Sequence, residues 1–128
     1  VCRCVKRLTC EHVAHGGQLV ALEKQLLGFT HADAGALLAA RWGLPAVIGD
    51  AIAAHHQPEQ SEAGSLASIA HIGSVIAHAL ALSGDPEEMV PALSDTAWKR
   101  LGIEWSALPT ALARIEEEFD GTMTALLG

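Results

Sequence analysis

Apolar residues recur every three or four positions along most of this chain, and no segment alternates apolar and polar residues at period two. The first pattern is typical of amphipathic helices, whereas the second would have indicated strands. The pattern predicts helices at residues 3–15, 18–27, 31–42, 45–56, 65–83, 95–101 and 108–127. We therefore expect an all-α protein, a compact multi-helix bundle with no sheet.

The boundaries of the helix at 31–42 are marked by several local signals. Thr30 followed by Asp33 predicts a capping box at its start. Gly43 is expected to end it, and Pro45 to occupy the first position of the next helix. A glycine inside a helix costs about 1 kcal/mol relative to alanine, so Gly35 predicts a close contact with a neighbouring helix.

The apolar positions also predict which face of each helix is buried. Helix 31–42 is expected to turn one stripe inward, namely His31, Gly35, Leu38 and Trp42. Helix 65–83 is the most apolar and is expected to be central, with Leu66, Ile69, Gly73, Ile76 and Leu80 on its inner face. Its single polar stripe consists of Ser68, His71, Ser74 and His78. Helix 108–127 carries an apolar face that either packs in the core or forms a contact surface.

Three histidines stand at the ends of the two helices between residues 31 and 56. A short connection at Gly43–Pro45 makes these helices an antiparallel pair, which brings His31 close to His55 and His56. Clustered imidazoles can bind Zn²⁺, Fe or Mn. The alternative is that one histidine is a hydrogen-bonded core residue while its neighbour faces water.

A hydrolytic metal centre also needs carboxylates, and the hairpin offers few. Asp33 is accounted for by capping, and Glu59 lies in a polar segment, 57–64, that is expected to be a flexible loop. The polar stripe of the central helix supplies His71 and Ser74 but no acidic residue. The residues alone leave the metal-centre and packing interpretations both open.

Composition limits the classes of function. The 128 residues suit one domain, 1–128, and the formal net charge of −7 disfavours binding to nucleic acid. A basic patch at residues 3–7 is interpreted as a solvated helix face. No apolar run reaches the length of a membrane span and no export signal is present, which predicts a cytoplasmic protein. Cys2, Cys4 and Cys10 are therefore expected to be reduced thiols, spaced poorly for a zinc site.

Several motifs together resemble the HDOD domain, the HD-related output domain of bacterial signalling proteins. The resemblance is strongest over residues 18–83, and the chain is expected to be the C-terminal portion of that domain, with the leading helices absent. It rests on Leu22–Phe29, Thr30-His31, Gly35, Arg41-Trp42-Gly43-Leu44-Pro45, Ala51-Ile52, His55-His56-Gln57-Pro58 and Ser68–Ile72. Within this pattern Thr30, Gly35, Trp42, Gly43, Leu44 and Pro45 are read as structural residues.

The same resemblance bears on catalysis, because HDOD domains are related to the HD and HD-GYP metal-dependent phosphohydrolases. His31, His55 and His56 fall where the HD-GYP pattern has metal-binding histidines. However, the chain contains no His-Asp dipeptide, and Ser74 stands near the position of a late aspartate ligand. The resemblance therefore implies a degenerate site without a cofactor, and its candidate residues are His31, His55, His56, His71 and Ser74.

The function expected from the sequence is a non-catalytic regulatory module for signal transduction, which is not an enzyme. It would act through contacts with other signalling domains or proteins, or with a second copy of itself, and not with nucleic acid or membranes. The alternative is a phosphohydrolase of HD-GYP type, a cyclic-dinucleotide phosphodiesterase that holds Fe, Mn or Zn on His31, His55 and His56.

Overall fold

The computed structural model describes residues 19–62, 64–82 and 90–127. These residues form six α-helices and no strand, which confirms the all-α prediction. The predicted helix at 3–15, its basic patch and the three cysteines lie outside the described residues. The helices are α1 (Leu19–Leu27), α2 (His31–Arg41), α3 (Ala46–Ala54), α4 (Ser65–Ala79), α5 (Asp95–Leu101) and α6 (Leu108–Leu127), with 3₁₀ turns at Pro58–Gln60 and Trp105–Ala107.

Helices α2 and α3 form the predicted hairpin. The Thr30 hydroxyl accepts from the Asp33 N–H, and Asp33 accepts from the Thr30 N–H, so the capping box is present. At the other end, Gly43 has φ +70° and the Leu44 N–H donates to the Ala39 carbonyl at 2.9 Å. This is the Schellman arrangement, and it reverses the chain immediately before Pro45. Pro45 is the N-cap residue of α3 and not its first helical residue as predicted, and its side chain makes no capping hydrogen bond.

The predicted inner stripe of α2 is wrong. Ala32 and Ala39 are buried, whereas Leu38 is 48% exposed and Trp42 is 71% exposed. Small residues face α3 because the two helices approach closely: a Cβ on Gly35 would lie 2.7 Å from Cγ2 of Ile52. The close contact expected at Gly35 is thereby confirmed, and the leucines are left to the opposite face.

Helix α4 also buries a different face from the one predicted. Its buried residues are Ala67, Ser68, His71 and Ile72, while Ile69 is 55% exposed. The polar stripe can be inside because neighbouring elements satisfy it: Arg100 Nη1 donates to the Ser68 hydroxyl at 3.3 Å. Part of the polar segment before α4 is a 3₁₀ turn, Pro58–Gln60, rather than an open loop, and Pro58 is buried.

Helix α4 ends four residues earlier than predicted, at Ala79. The reason is a second Schellman turn, in which Ala81 adopts φ +52° and the Leu82 N–H donates to the Ala77 carbonyl at 2.9 Å. The glycine and proline expected to stop the helix, at residues 84–86, lie outside the described residues.

The largest apolar core joins α4 to α5. Ser94 caps α5 as predicted, accepting from the Ala97 N–H. Trp98 is 7% exposed and stacks on Trp105 with ring centroids 4.2 Å apart. Ile72 and Ala97 complete the buried cluster, and one residue of α6, Leu108, packs against it. No described residue of α6 is fully buried, and Leu126 on its predicted apolar face is 74% exposed.

Candidate functional site

The three histidines of the hairpin converge at its open end, as the short connection predicted. Nε2 of His31 lies 2.7 Å from Nε2 of His56 and 3.4 Å from Nε2 of His55. One ring nitrogen from each residue falls within 4.8 Å of the other two. His31 begins α2, and His55 and His56 directly follow α3, so the antiparallel pairing alone brings them together.

A fourth residue, Glu23 on α1, orients the cluster. Its Oε2 accepts from the His31 backbone N–H at 3.0 Å and lies 2.7 Å from His31 Nδ1. Glu23 is only 7% exposed. Glu23 was not among the predicted site residues, since the acidic candidates, Asp33 and Glu59, lie within or after the hairpin. The available signal was an acid between Leu19 and Leu26, on the apolar stripe of α1.

The hydrogen bonds fix which ring nitrogens carry protons. A carboxylate oxygen only accepts, so His31 Nδ1–H donates to Glu23, and His55 Nδ1–H donates to the Ile52 carbonyl at 2.7 Å. In the neutral rings, Nε2 of His31 and of His55 then carry bare lone pairs. His56 therefore supplies the proton of the 2.7 Å contact, donating from Nε2 to His31. The lone pairs of His31 and His55, 3.4 Å apart, face each other without a proton.

The surroundings of His56 favour the uncharged form of its side chain. Burial, followed by charge repulsion from the neighbouring His55 and His31 rings, lowers the pKa of His56 to about 4. His56 is consequently neutral at pH 7, with its proton on Nε2 and its lone pair on Nδ1.

Asp33 takes no part in the cluster. Hydrogen bonds from Thr30 lower the pKa of the Asp33 carboxyl, and Lys24 Nζ lies 3.6 Å from its Oδ2. These contacts hold the carboxylate at the start of α2, where it caps the helix. Glu59, the other acidic candidate, is turned toward α5 and accepts from the Ser94 hydroxyl at 3.4 Å.

The spacing of the cluster matches one transition-metal ion for His31 and His55 only, since Nε2 of His56 lies 2.7 Å from that of His31 and would have to move away and give up its proton to bind the same ion. Two imidazoles bound to zinc at 2.0–2.1 Å in a tetrahedron would have nitrogens about 3.3 Å apart, close to the 3.4 Å between His31 and His55. The Glu23–His31 pair is the carboxylate–histidine arrangement that orients metal ligands. Three nitrogens leave a coordination position open. Within the described ranges, the residues grouped as ligands are His31, His55 and His56, with no carboxylate among them.

His71 and Ser74, the remaining candidates, lie behind the cluster on α4. His71 is 5% exposed, its Nδ1–H donates to the His55 carbonyl at 2.8 Å, and its Nε2 accepts from the Ser94 N–H at 3.0 Å. Both of its ring nitrogens are thus engaged. The carbonyl of Ser74 accepts from His78 Nδ1 at 2.6 Å. His71 therefore supports the cluster rather than extending it.

A cavity of about 720 Å³ opens beside the histidines. His56 and Gln57 line one side, and Lys24, Thr30 and Asp50 line others. Its size is within the range of small-molecule sites. Helix α2 separately carries a shallow apolar groove on its outer side, lined by Phe29, Asp33, Ala34, Leu37 and Leu38.

Comparison with known proteins agrees with the motifs. The model of the HDOD domain matches residues 4–58, a range that includes α1, α2, α3 and all three clustered histidines. The match lies in the N-terminal part of the chain and ends before α4, whereas the resemblance was expected to be strongest over 18–83 and to represent the C-terminal portion of the domain. No curated protein and no solved structure matches the chain. None of the helices among the described residues combines the length and the hydropathy that a membrane crossing needs. The family to which this chain is similar, over residues 4–58, is therefore the HDOD domain family.

Proposed function

We propose that this chain is a non-catalytic signal-transduction module that works through protein–protein contacts in a bacterial cytoplasm. The observation that carries the proposal is the composition of the histidine cluster, which offers three imidazoles and no carboxylate ligand among the described residues. Metal-dependent hydrolysis of a phosphodiester needs a bound, activated water and groups that balance the charge of the ion.

The buried carboxylate beside the cluster, Glu23, is already hydrogen-bonded to His31. Glu23 accepts two hydrogen bonds from His31 through the same oxygen, Oε2. It can therefore orient His31 but does not reach past the ring to the side on which the Nε2 atoms converge. Ser74, which stands near the position of an aspartate ligand in the related enzymes, has a hydroxyl in place of a carboxylate.

The outer surface of the hairpin supports a role in protein contacts. Large apolar side chains that are usually buried are exposed there: Phe29, Leu37, Leu38, Trp42, Leu44 and Val47. Leu37 and Trp42 are each 71% exposed. Single exposed apolar residues are ordinary, but several on one helix and its following turn are typical of an interaction surface. Other signalling domains or proteins are the proposed partners, with self-association as the second option.

The test is a hydrolysis assay on the full chain loaded in turn with Fe²⁺, Mn²⁺ and Zn²⁺. The substrates are a cyclic dinucleotide and bis(4-nitrophenyl) phosphate, and the control is His55→Ala under the same conditions. The proposal predicts equal rates for the parent and for His55→Ala. A metal-dependent rate that is lost in His55→Ala would show that the chain is an enzyme.

The second candidate function is the phosphohydrolase, and one feature favours it. The cavity of about 720 Å³ has His56 in its wall and Lys24 at its edge, so a phosphate group bound there would lie beside the histidines. Three histidines with an open position are also a ligand set that catalytic zinc sites use. This candidate predicts turnover in the assay above, and therefore one experiment separates the two.

A further inference from the structure

We infer that His71 is a positioning residue that ties the histidine cluster to α5, so that one Zn²⁺ bound by the cluster stabilises the start of α5. The inference rests on the proposed function in one respect, namely that an ion held at the cluster serves conformation rather than turnover. The inference connects the cluster to α5. The family match gives no information on α5, because it ends at residue 58.

His71 contacts the cluster through the backbone of His55. His71 Nδ1–H donates to the backbone carbonyl of His55 at 2.8 Å. The side chain of the same His55 contributes Nε2 to the cluster, and its Nδ1–H is bonded to the Ile52 carbonyl. An ion that restrains the His55 ring consequently restrains the backbone that His71 holds.

His71 also contacts the start of α5, through the backbone of Ser94. The Ser94 backbone N–H donates to His71 Nε2 at 3.0 Å, and the Ser94 hydroxyl accepts from the Ala97 N–H as the cap of α5. Because His71 is 5% exposed, water does not readily replace either partner. The neutral ring with its proton on Nδ1 satisfies both bonds at once.

A separate set of hydrogen bonds attaches α5 to the turn before α4. Arg100 Nη1 donates to the carbonyls of Pro58 and Gly64 and to the Ser68 hydroxyl, at 3.0, 3.2 and 3.3 Å. These bonds involve no histidine of the cluster. Arg100 therefore keeps α5 docked when the His71 bridge is broken, which makes the bridge removable without loss of the fold.

Thermodynamic linkage gives the expected consequence. If bound Zn²⁺ strengthens the hydrogen-bonded arrangement of His55, His71 and Ser94 by some factor, the intact arrangement strengthens Zn²⁺ binding by the same factor. Breaking the bond to Ser94 must therefore weaken Zn²⁺ binding by that factor. Couplings between sites are typically about 5- to 150-fold in affinity. The effect on α5 appears as slower amide hydrogen exchange at residues 95–101 when zinc is added.

The experiment uses hydrogen exchange with mass spectrometry and calorimetric zinc titration on the full chain. One matched pair is Ser94→Pro and Ser94→Ala: both remove the capping hydroxyl, but only proline also removes the backbone N–H that His71 accepts. Ser94 has φ −77°, which proline adopts without strain. A second pair is His71→Asn, whose amide keeps the donor near Nδ1 and loses the acceptor at Nε2, and His78→Asn on the same helix.

The expected result is one Zn²⁺ per chain in the parent, with added protection at residues 95–101. Ser94→Pro and His71→Asn should bind zinc at least about fivefold more weakly and lose the zinc-dependent increment, while Ser94→Ala and His78→Asn keep it. A purely structural His71 would lower protection equally with and without zinc. An unchanged zinc-dependent increment in both Ser94→Pro and His71→Asn would overturn the inference, as would zinc binding without any effect on 95–101.

Absence of zinc binding would also overturn it, although the proposed non-catalytic function would stand. That function fails separately, through metal-dependent hydrolysis by the parent. If His71→Asn does not reach the helical content of the parent by circular dichroism, the Ser94 pair decides the question.

Discussion

The α2–α3 hairpin and the α4–α5 junction distribute apolar residues in opposite ways. The hairpin buries Ala32 and Ala39 between its helices and leaves Leu37 and Trp42 outside. The junction buries Ile72 and Trp98 and stacks Trp98 on Trp105. Small residues in the hairpin let two helices approach closely, which fixes the spacing of the histidines at its end but buries little apolar area. Large residues in the junction bury that area and so contribute more to stability.

The two regions also differ in how they use histidine. In the hairpin, the Nε2 atoms of His31, His55 and His56 meet one another, and their only described hydrogen bonds are within the cluster. In the junction, His71 is enclosed and both ring nitrogens are bonded. The hairpin thus presents the clustered imidazoles and exposed apolar side chains, whereas the junction buries the larger apolar residues of the fold.

The largest expected effect sharpens this division. Trp98→Ala should lower the free energy of unfolding by about 3–5 kcal/mol, because it removes a buried ring and leaves a cavity. Trp42→Ala is the matched control in the hairpin, and its 71% exposure predicts a change within about 0.5 kcal/mol. Urea denaturation followed by circular dichroism measures both. Similar losses for the two variants would contradict the division.

The next effect concerns the chemistry of the hairpin. Glu23→Gln keeps an oxygen that can accept from His31 but removes the charge that orients the ring, so zinc affinity should fall about 10- to 100-fold. Asp33→Asn is the control, because this exposed carboxylate caps α2 and does not contact the cluster. Calorimetric titration with zinc measures both variants. If Glu23→Gln and Asp33→Asn lower the zinc affinity equally, Glu23 acts only through the net charge of the protein and not by orienting His31.

A smaller effect tests the close approach of α2 and α3. Gly35→Ala places a Cβ 2.7 Å from Cγ2 of Ile52, and overpacking of this kind costs about 1–3 kcal/mol. The control, Gly49→Ala in α3, meets only the Ala39 Cβ at 4.0 Å and should gain up to about 1 kcal/mol from helix propensity. If thermal unfolding ranks Gly35→Ala as the more stable variant, the helices are not as close as described.

The smallest effect is a dependence of stability on pH in the metal-free protein. The pKa of His56 falls from 6.5 to about 4 on folding, so the unfolded chain binds more protons between these values. The free energy of unfolding that depends on neutral His56 is therefore fully present above pH 6.5, and it is lost as the pH falls toward 4. Denaturation curves at pH 7, 5.5 and 4 should show a shallower decline for His56→Gln than for the parent. Parallel declines would mean that His56 is not held neutral by the cluster.

Local signals in the sequence predicted the hairpin and the meeting of its histidines. Thr30 with Asp33, and Gly43 before Pro45, are short-range features whose geometry does not depend on the rest of the chain. Once they fix two antiparallel helices, the proximity of His31 to His55 follows from the connection length alone. Gly35 predicted the close contact because a glycine in mid-helix requires a compensating reason.

The buried faces were harder to predict, because periodicity does not say which of two competing stripes is inside. Alanines occupy one side of α2 and leucines the other, and the tight packing against Ile52 selected the alanines. On α4 two residues of the polar stripe, Ser68 and His71, are buried, and Arg100 and Ser94 bond to them. These partners are more than twenty residues away, so no local pattern reveals them.

Glu23 was missed although it lies only eight residues from His31, because helical periodicity does not show which side chains meet across the turn between α1 and α2. It bears on the central claim, which is that the cluster binds metal through imidazoles alone. A crystal structure of the zinc-loaded full chain tests this most directly. We predict an ion bound by Nε2 of His31, His55 and His56, with the proton of His56 moved from Nε2 to Nδ1, water completing the shell and Glu23 still on His31 Nδ1. An aspartate or glutamate oxygen from the chain in the first coordination shell would contradict it.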